Sequence, residues 1–265
     1  MKMKFICSLM IAFIIIASCS QTKDYSKISY KYDEQNFQYG NCDTIDFECV
    51  EVKIKTIELA DDTSPEIKDS IEKKVKDFIL SATVGETGYK SLEELRDSLI
   101  ENYKSIRIEI PDMRVGYGLE RNIKVETDTL GIFAVEFFEY SFYGGAHPNT
   151  STTFSNINLE NGKEIKLDEI LSDGFENEIN KIGERNFRQV KQLKPDEDLQ
   201  EAGFWFDENG FRLNNNFLIT KKGLKFFFNP YEIAPYALGV TELLIEYSEL
   251  MNLINKGSIL SRFLE

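Results

Sequence analysis

The sequence predicts an α+β protein: a mostly antiparallel or mixed sheet with helices packed mainly on one face. Three observations carry that prediction. Apolar and polar residues alternate with a period of two in several separate runs, the mark of half-buried strands. Two helix-start signatures gather between residues 64 and 105, and past Pro111 the composition shifts to strands. Twenty Phe and twelve Tyr against a single Trp suit a β-rich interior using aromatic cross-strand pairs.

The elements follow in order. Residues 28–39 and 48–59 alternate as strands, the second reading VEVKIKTIEL. Ser64-Pro65 then opens a helix, with Ser as N-cap, Pro in the first turn and Glu66 near the positive end. Ile67, Ile71, Val75, Phe78 and Ile79 share its apolar face. Gly85 and Gly88 break the chain, and Ser91 with Glu94 forms a capping box for a second helix ending near Ser105. Residues 114–127 and 131–143 make a hairpin across Asp128–Gly131, and the apolar IFAVEFFEYSFY is the expected central strand. Residues 150–159 return as a strand into the tight-turn pair Asn161-Gly162. A helical turn at 167–171, an amphipathic helix over 175–193 and an acidic loop around Pro195 come next. Short strands are expected at 211–213, 216–220, 224–228 and 241–247, then a short helix to Ile254 and a tail.

With 265 residues the chain can bury a sizeable core, and 42% hydrophobic with 29% charged residues is a globular balance. The formal charge is −14. Such a surface repels a phosphate backbone, which excludes nucleic acid as an expected partner, and it attracts cations. The plainer role of acidity is solubility.

Met1–Lys4 is a positive start, and Phe5–Ile16 is apolar but short for a bilayer span. Ala17, Ser18 and Cys19 then complete IASC, which resembles a lipoprotein signal: a leader over 1–18 is removed and Cys19 carries the lipid. The protein is thus expected in a bacterial cell envelope, attached to the membrane through its anchor. The absence of an acidic residue directly after Cys19 leans toward the outer membrane. Cys42 and Cys49, exported to an oxidising space, are expected to pair and close a small loop; without a nearby histidine, metal binding is the weaker reading.

No motif for a metal, a phosphate or a nucleophile elbow is present, so no metal, no cofactor and no catalytic residue is assigned. His147, the only histidine, sits in GGAHP, where Gly144 and Gly145 permit positive φ and Pro148 fixes the exit. It reads as a turn-capping or ligand-contacting residue. Tyr231, Glu232 and Tyr236 crowd charge and aromatic rings into NPYEIAPYALG; the plain alternative is tyrosine packing with Glu232 satisfying backbone donors.

These segments resemble the RsiV-type extracellular domain. The resemblance rests on YGGAH at Tyr143–His147, the turn Asn158–Lys163 and the helix start Leu167–Leu171. Its other half is Phe217, Gly223–Phe228 and PYEIAPYALG at Pro230–Gly239. It covers roughly Cys42 to Ile254. The family includes a lysozyme-binding anti-sigma factor, lipid-anchored proteins of unassigned role and units preceding some peptidoglycan deacetylases. The resemblance implies a binding module whose contact residues are Tyr143, Gly144, Gly145, His147, Tyr231, Glu232 and Tyr236. The expected ligand is a lysozyme-like cationic protein or peptidoglycan, with a glycan hydrolase using His147 and a carboxylate, or a structural envelope protein, as alternatives. Neither a sigma-binding segment nor an attached deacetylase is expected. The expected organisation is a leader (1–18), tether and first strand (19–41), an N-terminal α+β part (42–110), an RsiV-like α+β part (111–255) and a tail (256–265).

Overall fold

The computed structural model describes residues 27–42, 48–84, 87–112, 115–207 and 210–264. The expected leader, Cys19 and most of the expected tether lie outside the described residues. Five strands form one mixed sheet: β1 (Tyr30–Gly40), β2 (Cys49–Leu59), β3 (Tyr117–Thr129), β4 (Ile132–Phe142) and β5 (Asn149–Asn158), in that spatial order. All neighbours are antiparallel except β2 and β3. A parallel pair needs a long crossover. Helices α1 (Pro65–Ile79) and α2 (Leu92–Glu109) provide it, so the sheet continues across Pro111.

Pro65 occupies the first turn of α1, while Ser64 caps by position without a side-chain bond. In α2 the Ser91 hydroxyl accepts from the Glu94 N–H, and the Glu94 carboxylate accepts from the Lys90 N–H. Ile71 and Ile79 of α1 and Leu95, Leu99 and Tyr103 of α2 bury against Val50, Val52, Ile54, Leu119, Ile123, Phe133, Val135 and Phe137. Arg121 is fully buried in this layer. Its guanidinium donates to Glu139 (2.7 Å) and to the carbonyls of Ile79 (2.7 Å) and Ser81 (3.0 Å), tying the end of α1 to the sheet. Cys42 and Cys49 form the expected disulfide, Cα–Cα 5.2 Å, at the β1–β2 turn.

The second unit holds α3 (Leu167–Ile170), α4 (Glu176–Val190), an antiparallel sheet of β6 (Phe217–Ile219), β7 (Gly223–Phe228) and β8 (Thr241–Glu246), and α5 (Tyr247–Leu250). Its core joins Phe217, Ile219, Phe226, Phe228, Leu243 and Ile245 to Ile179, Ile182 and Phe187 of α4. Phe204, Phe206 and Phe211 ring Phe187 with centroid distances between 4.8 and 5.5 Å.

Three expectations are corrected. β4 is not central; β3 is. β4 is apolar at nearly every position because both its faces are covered: Phe133, Val135 and Phe137 face the helices, while Ile132 and Ala134 join the second core. Residues 211–213 form no strand, since Phe211 is drawn into the phenylalanine cluster and the Leu213 N–H bonds Asn180 Oδ1. The last residues do not trail away. Ile259–Phe263 is a 3-10 turn with Leu260 buried, and Arg262 donates to the Leu130 carbonyl at 2.9 Å.

Candidate functional site

β5 is an edge strand, so its outward backbone groups need partners. Asparagines from the second unit supply them. The Thr152 N–H donates to Asn229 Oδ1 (2.7 Å), and Asn229 Nδ2 returns a bond to the Thr152 carbonyl (3.0 Å). Asn216 Oδ1 accepts from the Phe154 N–H (3.0 Å), and its Nδ2 reaches the Thr152 carbonyl (2.8 Å). In the other direction Asn156 on β5 grips the edge of β6, donating to the Phe217 carbonyl (2.8 Å) and accepting from the Ile219 N–H (2.7 Å). Thr127, turned toward the second unit by a β-bulge in β3, adds a bond to the Ile219 carbonyl. Side chains therefore join two sheet edges where no backbone ladder runs.

This stapling brings the candidate residues together. The segment before β5 ends in GGAHP, and the segment after β7 begins at Asn229. Gly144 and Gly145 have φ of +93° and +105°, a region glycine adopts without steric penalty, and they turn the chain out of β4. His147 lands against PYEIAPY. Its ring stacks on Tyr236 with centroids 3.7 Å apart and planes 13° apart. Nε2 lies 2.9 Å from the Tyr231 hydroxyl and Nδ1 lies 3.0 Å from the Pro148 carbonyl. A carbonyl only accepts, so in the neutral ring Nδ1–H donates to Pro148 and Nε2 accepts from Tyr231. Tyr231 and Tyr236 are 5.8 Å apart.

Tyr231 is a non-glycine residue at φ +66° and its side chain is half exposed. Strained backbone of this kind concentrates at functional sites. Glu232 is exposed and serves the segment: Oε1 accepts from Asn214 Nδ2 (2.6 Å) and Oε2 from the Asn229 N–H (2.8 Å). Tyr143 points elsewhere, into the layer beneath the sheet, its ring 5.3 Å from Tyr117. Burial pushes its phenol well above the ordinary range, and the Glu139 carboxylate adds to the rise. The structure thus unites His147, Tyr231 and Tyr236, places Glu232 beside them as a brace, and separates Tyr143.

Sequence reasoning missed Asn156, Asn216 and Asn229. The asparagine run at 214–216 and the FFFNP strand end were the available signals. It also missed Trp205, the lone tryptophan, which is 53% exposed and whose backbone N–H donates to the Ile233 carbonyl beside the tyrosine segment. Among the described residues no group of three or more His, Cys, Asp or Glu is arranged to hold a metal ion, and no helix is long and apolar enough to cross a membrane.

Two family models match the chain. Residues 44–150 match one described as deacetylase PdaC, and residues 168–248 match one described as a protein of unknown function, DUF3298. A crystal structure of a DUF3298-family member from Bacteroides fragilis is similar with a TM-score of 0.72 at 20% identity, over 91% of this chain and 99% of that one. A DUF3298-family protein from Pseudomonas aeruginosa is similar at 0.66 and 20% identity, over 87% and 96%. No curated protein matches in sequence. Residues 44–150 are thus similar to the PdaC model and residues 168–248 to the DUF3298 model, in a fold shared with DUF3298 structures, which is consistent with the RsiV-like domain family.

Proposed function

We propose that this chain is a lipid-anchored binding protein of the bacterial cell envelope, in which His147, Tyr231 and Tyr236 form a contact patch for a lysozyme-like cationic protein. The observation that carries this reading is Tyr231, held in left-handed backbone, half exposed, and hydrogen-bonded to His147. A tyrosine locked in this way presents a large rigid ring at low conformational cost, the usual property of an interface anchor. The −14 charge supports a cationic partner and faster capture at low salt. The IASC leader supports the anchor, and the lack of an acidic residue directly after Cys19 supports an outer-membrane location. One matched model is named for a deacetylase, and the RsiV-like resemblance includes units that precede cell-wall deacetylases, which suits an envelope setting.

A hydrolase using His147 and Glu232 has less support. Both ring nitrogens of His147 are engaged by Tyr231 and Pro148, and both Glu232 oxygens brace Asn214 and Asn229. The test is capture of lysozyme by the purified protein at physiological salt, run beside a muropeptide titration. Lysozyme retained by the wild type and lost in Tyr231→Ala supports the reading; no retention of lysozyme removes it.

A further inference from the structure

Phe138, Tyr140 and Phe142 alternate along β4 on the face turned away from α1 and α2. Each is part-exposed, and none belongs to either core. The registers show what surrounds them. On β3, Asn122, Glu120 and Gly118 stand opposite Phe138, Tyr140 and Phe142. On β5, Thr152 and Thr150 stand opposite Phe138 and Tyr140. Beyond β3 come Glu51, Lys53 and Lys55 of β2, then Gln38, Asn36 and Glu34 of β1. The Tyr140 ring lies over Gly118, where a Cβ would meet its Cε1 at 3.6 Å, an ordinary van der Waals contact. A row of three rings at strand spacing is therefore flanked by amides, hydroxyls and charges, without an aliphatic side chain among these positions.

Both lysines on this face are paired locally, and Glu120 is met by an amide rather than by a cation. Lys53 pairs with Glu51 (2.7 Å), Lys55 with Glu34 (2.8 Å), and Gln38 also bonds Glu51 (2.8 Å). Asn122 donates to Glu120 at 2.5 Å. A face with two lysines against three glutamates is close to balanced inside a strongly acidic molecule, and it matches a neutral partner rather than a strongly cationic one. Rings held on a strand are preorganised, and their π-faces suit flat apolar surfaces edged by hydrogen-bonding groups.

We propose that this sheet face binds an extended, neutral glycan chain. The three rings stack on the apolar faces of successive pyranose units, and Asn122, Gln38 and Thr150 meet their hydroxyls. The proposal rests on the ring row and stands whether or not the His147 cluster binds lysozyme.

The test is calorimetric titration of the protein with cellohexaose and, separately, chitohexaose. Binding of at least one is expected, weakened about three- to tenfold by Tyr140→Ala and by Phe142→Ala, and changed less than about twofold by Tyr231→Ala, which lies outside the row. Tyr140→Leu keeps apolar bulk without the ring and should lose affinity as Tyr140→Ala does. Asn122→Ala, a part-buried polar neighbour of Phe138 on β3, gives a readout should a ring variant fail to fold, and should weaken binding at least threefold. The proposal is overturned by no binding of either hexaose, by wild-type affinity in Tyr140→Leu and Asn122→Ala, or by a dimer in sedimentation that Tyr140→Ala dissolves.

Discussion

Tyr231 carries three features that rarely coincide: left-handed backbone, a half-exposed ring and a hydrogen bond to the only histidine. The backbone alone costs about 1 kcal/mol, and contacts with His147 and Tyr236 offset it. Elsewhere on β4, burial raises the Glu136 pKa, and the Glu126 and Glu242 carboxylates add to the rise against Lys225 and Lys124. A raised folded value means the native state prefers the protonated acid. That preference stabilises fully below the ordinary value of 4.5 and is lost as pH rises through the folded value. Glu136→Gln should therefore raise stability at pH 7, by no more than about 0.5 kcal/mol because the group is partly solvated. The gain should vanish well below the ordinary value, as denaturant melts at the two pH values would show. Tyr143 illustrates what parity alone could have revealed. It shares the odd spacing of Phe133, Val135 and Phe137, so it had to point under the sheet, away from His147.

Among elements, the asparagine staples decide how the two sheets meet. Asn216→Ala leaves the Phe154 N–H without its acceptor and should cost about 1–3 kcal/mol in chemical denaturation. A cost near zero would mean that the junction rests on apolar packing alone. Breaking the Cys42–Cys49 bridge with Cys49→Ser should cost roughly 2–3 kcal/mol on the chain-entropy model, measured the same way under oxidising conditions. The strands were legible because alternation is local, and α2 because its cap is local. The parallel β2–β3 pair and the centrality of β3 were not, since they depend on where α1 and α2 carry the chain. The apolar density of β4 suggested the middle of one sheet, when it reports cover from two layers. The meeting of GGAHP with PYEIAPY was legible through the family resemblance. Its physical cause, Asn229 and Asn216 completing the backbone of β5, was not, because asparagine beside a strand end ordinarily reads as a turn.

At the scale of the molecule, two cores share β4 and are locked from a distance by the final turn, where Arg262 reaches the β3–β4 connection. The whole carries a charge of −14, yet on its sheet face both lysines, Lys53 and Lys55, are paired. A cationic protein should therefore be drawn by the overall field, and its association rate should fall as ionic strength rises. Stopped-flow mixing with lysozyme across a salt series reads that slope; a rate indifferent to salt would contradict electrostatic capture. The most direct measurement is equilibrium binding of lysozyme to the wild type and to Tyr231→Ala, both shown folded by their melting curves. The account predicts binding by the wild type and at least a tenfold loss in the variant, as for a truncated interface anchor. Equal affinity in the two proteins, or none in the wild type, would contradict it.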